Sequence, residues 1–206
     1  MRACHAHRVN GGGDGDGRAP LKLVALADEP PRLDPAALVA GNGAAGVVTL
    51  GDLEPEWLWS LDRVKLPKIG VHGNHDDAGT LDTLGVEDVH LRCVEIAGWT
   101  FAGFEGCVKY GQGPFQFTQR QAAKLAKRLP AADVLVCHCP PSGVNDEPDD
   151  AAHVGFEALR EWVERHRPRY ILHGHTTPDP RTRVHRFDGT EVVWVRGSRV
   201  VELRDA

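Results

Sequence analysis

Gly70-Val71-His72-Gly73-Asn74-His75-Asp76 reads as an apolar strand running into a turn that carries an amide, an imidazole and a carboxylate in succession. An amide oxygen is a hard metal ligand, an imidazole moves a proton near neutral pH, and a carboxylate beside it can hold one tautomer. Asp and Asn are also ordinary turn residues, so the grouping gains weight only if other strand ends supply matching groups.

Four further stretches do. Leu21 to Asp28 is an apolar run ending in Asp, and Gly46 to Asp52 (Gly-Val-Val-Thr-Leu-Gly-Asp) is another. Asp133 to His138 ends in His-Cys-Pro-Pro, and Tyr170 to His175 ends in His-Gly-His-Thr. Residues at the carboxyl ends of strands in an open α/β sheet converge on one crevice, so five such ends can build one site. Short apolar runs alternating with amphipathic segments argue an α/β domain.

A chain of 206 residues has room for one substantial core and not for two ordinary domains. Its 41% hydrophobic and 26% charged residues are those of a soluble globular protein. A net charge of -5 gives no general attraction to nucleic acid or to an anionic membrane, which argues against a nuclease. No apolar run approaches the roughly 18 residues of a membrane span. Five scattered cysteines with no Cys-x-x-Cys pair and no secretory signal suggest reduced thiols and a cytoplasmic protein.

Residues 1–20 include Gly11-Gly12-Gly13-Asp14-Gly15-Asp16-Gly17, which offers too little apolar surface to offset ordering, and the stretch is expected to be a disordered tail. Within it, Cys4, His5 and His7 could chelate a metal adventitiously, and Asp14 and Asp16 faintly resemble a calcium loop. The domain is expected to occupy residues 21–206. Pro35 to Val39 starts a helix, and Pro55 to Val64 is expected to be another, with Trp57 and Leu58 on its buried side. His90 to Ile96 and Trp99 to Phe104 read as a hairpin about Ala97-Gly98.

The glycine- and aromatic-rich stretch Gly103 to Phe117 could wall a substrate site by stacking or tie down a sheet edge. Thr118 opens a helix over Gln119 to Leu129 that Pro130 ends. Strand alternation turns Cys137 and Cys139 away from the face of His138. Pro140 to Asp150 is a long polar loop, and His153-Val-Gly-Phe then opens a helix through His166, with His153 either capping that helix or reaching the site. Asp188-Gly189 reads as a hairpin turn among three closing strands.

The ordered series resembles the calcineurin-like metallophosphoesterase superfamily, whose pattern runs D-x-H, G-D, G-N-H-[D/E], H, G-H-x-H. The resemblance spans about Leu21 to Leu203 and implies a four-layer α/β sandwich of two mixed sheets face to face, flanked by helices. It also implies phosphoester hydrolysis with divalent cations. The His-x-Pro-Pro, acidic-loop, His-Val-Gly and Arg-Pro-Arg-Tyr features are similar to the phosphodiesterase-like bacterial and archaeal members.

Carried over residue by residue, the family's second metal falls to Asp52, Asn74, His138 and His175, with Asp52 the bridge to the first. His75 would protonate the leaving oxygen and Asp76 would orient it. The first metal would use Asp28 and Asp52, but D-x-H reads Asp28-Glu29-Pro30 and G-H-x-H ends in Thr177. Both departures strike one cation. The expectation is one firmly bound Mn, Fe, Zn or Ni, with the first position empty or weakly held by Asp28, Asp52 and water. Glu29 or His173 could rescue that position. The expected partner is a small phosphorylated substrate, without membrane or nucleic acid. The competing function is a binding or scaffold module on the same fold.

Overall fold

The computed structural model describes residues 5–7 and 18–205. Fourteen strands run through them: β1 (His5–His7), β2 (Leu21–Ala27), β3 (Gly46–Thr49), β4 (Lys68–Gly70), β5 (Glu87–Asp88), β6 (Cys93–Ile96), β7 (Trp99–Phe104), β8 (Cys107–Val108), β9 (Gln116–Phe117), β10 (Val134–Cys137), β11 (Tyr170–His173), β12 (Arg186–Phe187), β13 (Thr190–Trp194) and β14 (Gly197–Leu203). Four α-helices accompany them: α1 (Pro35–Asn42), α2 (Thr80–Thr83), α3 (Gln119–Ala126) and α4 (Glu157–His166).

One sheet has the order β14-β2-β3-β4-β5, and the other β1-β6-β7-β10-β11-β13-β12. Both are mixed: β2, β3, β4 and β5 are parallel with β14 antiparallel to β2, and β7, β10, β11 and β13 are parallel with antiparallel β6 and β12.

The two-residue period of a strand sorts its side chains into layers. Leu21, Leu23, Ala25 and Ala27 of β2 face the second sheet and pack with Val94, Phe101, Val136 and Leu172. Val24 and Leu26 face the other way, against Val39 of α1 and Leu81 beside β5. On the far side Leu135, Cys137 and Ile171 pack under Leu159, Trp162 and Val163 of α4. The result is helix, sheet, sheet, helix, the four layers expected.

Local chemistry explains the helix starts. Asp34 accepts the Ala37 N–H at 2.9 Å ahead of Pro35 at the first helical position. Thr118 and Gln121 form a reciprocal capping box on α3. Pro55 to Val64 is instead two short 3-10 turns, Pro55–Trp57 and Trp59–Arg63, hinged at Leu58 (φ −124°). Leu58 is fully buried, whereas Trp59 is 68% exposed.

The tail differs from expectation at both ends. His5–His7 lies parallel to Val94–Ile96 as an edge strand. Arg18 is bonded to Asp133, Asp205 and the Gly98 carbonyl and stacks over Trp99. Cys4, Asp14, Asp16 and the side chains of His5 and His7 lie outside the described residues. Cys93 is disulfide-bonded, which corrects the expectation that all thiols are reduced. Cys107, Cys137 and Cys139 are free and buried, the latter two under α4 as strand alternation requires. Among the described residues no helix is long and apolar enough to cross a membrane.

Candidate metal centre

The site lies where the carboxyl ends of the two sheets meet. Asp28 follows β2, Asp52 follows β3, and Asn74 and His75 follow β4; His138 and His175 follow β10 and β11 of the facing sheet. Asp28, Asp52 and His175 all have left-handed backbone (φ 62°, 54° and 65°), which turns each strand abruptly as it ends. The Gly-Asp and Gly-Asn-His-Asp turns need their glycines for a mutual reason. A Cβ on Gly51 would overlap the backbone of Gly73, and one on Gly73 would overlap the Asp52 carboxylate.

His138 is the centre of the group and wholly buried. Its Nδ1 bonds the Leu50 carbonyl across the sheet interface at 2.7 Å, which directs Nε2 to the site. Nε2 lies 3.1 Å from Asn74 Oδ1 and 3.3 Å from Asp52 Oδ2. Ligand atoms each about 2.1 Å from one octahedral ion stand about 3 Å apart, so these spacings fit a shared cation. The His175 ring is 4.7 Å from that of His138, and its Nε2 bonds the Ala152 carbonyl at 2.8 Å, leaving Nδ1 as the lone-pair nitrogen. Asp52, His138 and His175 each present a ligand atom within 4.8 Å of the others. The donor set therefore fits a divalent cation.

Charge in the site points the same way. Burial alone would lower the His138 pKa, but Asp52, Asp28 and the Leu50 carbonyl outweigh it and raise it to about 9. Burial would raise Asp52, yet His138 and the His75 N–H bring it down to about 2. Burial lifts Asp28 to about 6 against the pull of His138. Burial and the His138 charge depress His175 to about 3. One positive charge is thus held between two carboxylates at neutral pH, the place a divalent cation takes with release of a proton.

The remaining predicted residues fall out differently. Asp28 accepts the His175 N–H through both oxygens at 3.1 Å and stands 4.0 Å from His138 Nδ1. His75 is exposed, its N–H donating to Asp52 Oδ1 at 2.8 Å, and it lines a cleft of about 560 Å³ with Asp28, Asp52, Trp57 and Thr80. Asp76 faces inward and accepts three backbone N–H groups, those of Gly73, Asp52 and Leu53, at 2.7, 3.1 and 2.9 Å. It shapes the turn, where the resemblance implied it would orient His75.

Neither rescue of the first position is present as imagined. Glu29 pairs with Arg196 at 2.7 Å, because the left-handed Asp28 breaks the extended strand before it. His173 is fully buried; its Nε2 accepts from Asn145 at 3.0 Å and its Nδ1 donates to the Gly174 carbonyl at 3.0 Å. Burial lowers its pKa to about 4, so it stays neutral. His153 does not cap α4, whose cap position is Phe156; it pairs with Asp150 at 2.6 Å and sets its ring 5.2 Å from His175.

Two supporting groups escaped sequence reasoning. Tyr110 Oη accepts the Asn74 Nδ2 hydrogen at 3.1 Å, which turns Oδ1 toward His138. The Ala152 carbonyl fixes the His175 ring. Tyr110 lay within the aromatic stretch already noted, but nothing in the spacing linked it to Asn74. The same stretch also ties down the fold: Phe115 stacks on His72 at 4.4 Å and Phe117 on His90 at 6.2 Å.

The protein TT1561 of Thermus thermophilus is similar in structure, with a TM-score of 0.61 at 14% identity over 90% of this chain and 99% of its own. A second solved structure gives 0.60 at 16% identity over 85% of this chain and 90% of its own. At these identities the likeness is one of fold. No curated protein matches the sequence. The family model described as calcineurin-like phosphoesterase matches residues 20–179, which carry all the candidate ligands. The chain belongs to the calcineurin-like phosphoesterase family.

Proposed function

We propose that this chain is a metal-dependent phosphoesterase acting on a phosphodiester or a small phosphomonoester. The observation that carries this is the clustering of Asn74 Oδ1 and Asp52 Oδ2 about His138 Nε2, with His175 beside them, where Asp52 also lines a cleft shared with His75. Asp52, Asn74, His138 and His175 would hold one divalent cation firmly, and mixed oxygen and nitrogen donors suit Mn, Fe, Zn or Ni. When bound, the cation supplies Lewis-acid polarisation of the phosphoryl group and of the attacking water.

The chain's own residues do the rest. Asp76 and the paired glycine turns hold Asp52 and Asn74 in place. His75, exposed at the cleft, delivers a proton to the leaving oxygen. Trp57 and Thr80 line the cleft beside His75, and Tyr110 keeps the Asn74 oxygen forward. The first position of the family lacks its two histidines, with Pro30 and Thr177 in their place, and is weakly held or empty. A cytoplasmic setting is supported by the three free buried thiols and opposed by the Cys93 disulfide.

Pro30 and Thr177 also favour a second reading, a binding or scaffold module that keeps one metal. Hydrolysis of bis-p-nitrophenyl phosphate and p-nitrophenyl phosphate with added Mn separates the two. Mn-dependent turnover that His75→Ala reduces supports the enzyme. Bound metal without turnover on either ester supports the module.

A further inference from the structure

Two residues that lie in the family's first-metal motifs meet at one side chain. Arg196 leaves the β13–β14 connection just before Gly197, which pairs with Ala27 at the end of β2. Its Nη2 lies 2.7 Å from Glu29 Oε1, the middle residue of Asp28-Glu29-Pro30. Its Nη1 donates to Thr177 Oγ1 at 2.5 Å, the residue that ends Gly174-His175-Thr176-Thr177. Its charge also acts on the Asp28 carboxyl, which itself grips the backbone of His175. A guanidinium therefore stands at the side of the site where the resemblance implies the first cation, gripped by the residues that replaced or adjoin its ligands.

We infer that Arg196 is a substrate-binding residue that grips a non-bridging phosphate oxygen from the first-metal side, with Glu29 and Thr177 as its positioning residues. This assignment rests on the phosphoesterase reading of the site. Guanidinium carries five N–H donors, and the two bonds to Glu29 and Thr177 leave three, including Nε. Its planar fork matches two phosphate oxygens, and it supplies fixed positive charge without metal ligands. Arg196 and Glu29 are 39% and 50% exposed, so solvent reaches the pair and the carboxylate is a weak competitor for an incoming phosphate. Among the described residues, Arg181 and Arg183 have no contact with the first-metal motifs to match this: Arg181 pairs with Asp179 in solvent, and Arg183 stacks over Trp194.

The test compares wild type, Arg196→Gln and Arg196→Lys as full-length, Mn-loaded protein. It measures bis-p-nitrophenyl phosphate kinetics, competitive inhibition by inorganic phosphate, and bound Mn per chain. The expected result for Arg196→Gln is KM and the phosphate inhibition constant raised roughly 10- to 100-fold, with Mn content and melting temperature unchanged. Arg196→Lys should recover part of the loss, because it restores a point charge without the fork. Unchanged KM and phosphate inhibition in Arg196→Gln, beside an active wild type, would overturn this assignment alone. A wild type that binds Mn but neither turns over nor binds phosphate would overturn the phosphoesterase reading and the assignment with it.

Discussion

Asp76 holds Asp52 by its backbone. Its Oδ2 accepts the Asp52 N–H at 3.1 Å and the Gly73 N–H at 2.7 Å, while Oδ1 takes Leu53 N–H at 2.9 Å. The carboxylate is 5% exposed, so removing it strands three amide donors away from water. Asp76→Ala should cost about 2–4 kcal/mol in urea unfolding and weaken Mn binding. A variant with wild-type stability and metal affinity but reduced kcat would show that Asp76 acts on the chemistry instead.

The turns carrying Asp52 and Asn74 touch backbone to backbone, which makes Gly73 a geometric requirement. Gly73→Ala puts a Cβ into the Asp52 carboxylate. The variant should lose tight Mn binding even where circular dichroism reports a folded protein. Wild-type affinity in a calorimetric titration would mean that the ligand set does not depend on this contact.

Much of this was legible because strands write their ends into sequence. The apolar runs were readable as strands, which the structure buries with Leu23, Ala25, Val136 and Leu172 in the central core, and the polar residue after each run was readable as a candidate ligand. What was not legible depended on neighbours distant in sequence. Asp76 sits next to His75, and only the placement of the Asp52 turn, 24 residues away, shows that its oxygens accept the backbone N–H groups of that turn. Glu29 pairs with Arg196, and that partner, 167 residues away, is set by the turn at Asp28 (φ 62°) and by the β13–β14 connection, neither of which a local reading supplies. Pro55 to Val64 has helix-like composition, yet Leu58 takes a non-helical φ and splits it.

Tyr110 acts on the site through Asn74. Tyr110→Phe removes the acceptor for Asn74 Nδ2 while leaving the ring, so the amide loses the group that orients it. Mn affinity should fall roughly tenfold, the usual size of an outer-shell loss, with little change in unfolding midpoint. An unchanged dissociation constant would remove Tyr110 from the supporting shell.

Acid should loosen the attachment of Arg18. Asp133 is bonded by both terminal nitrogens of Arg18 and by the N–H and hydroxyl of Thr100. Burial would raise its pKa, but the Arg18 and Thr100 bonds outweigh that and hold it below the ordinary carboxylate value. The unfolded chain therefore binds the proton more readily, and stability falls as pH drops from about 4 through the folded value. Asp133→Asn should cost roughly 2 kcal/mol at pH 7 and progressively less as pH falls below about 4, in unfolding midpoints measured down the acid range. An equal cost throughout would contradict the charge-based account.

On the proposed reading, Asp52, Asn74, His138 and His175 hold one divalent cation firmly. The most direct test is elemental analysis of Mn per chain after loading and desalting, for wild type and His138→Ala together. One equivalent in wild type and none in the variant is the predicted result. Two tightly held equivalents in wild type, or one retained without His138, would contradict it.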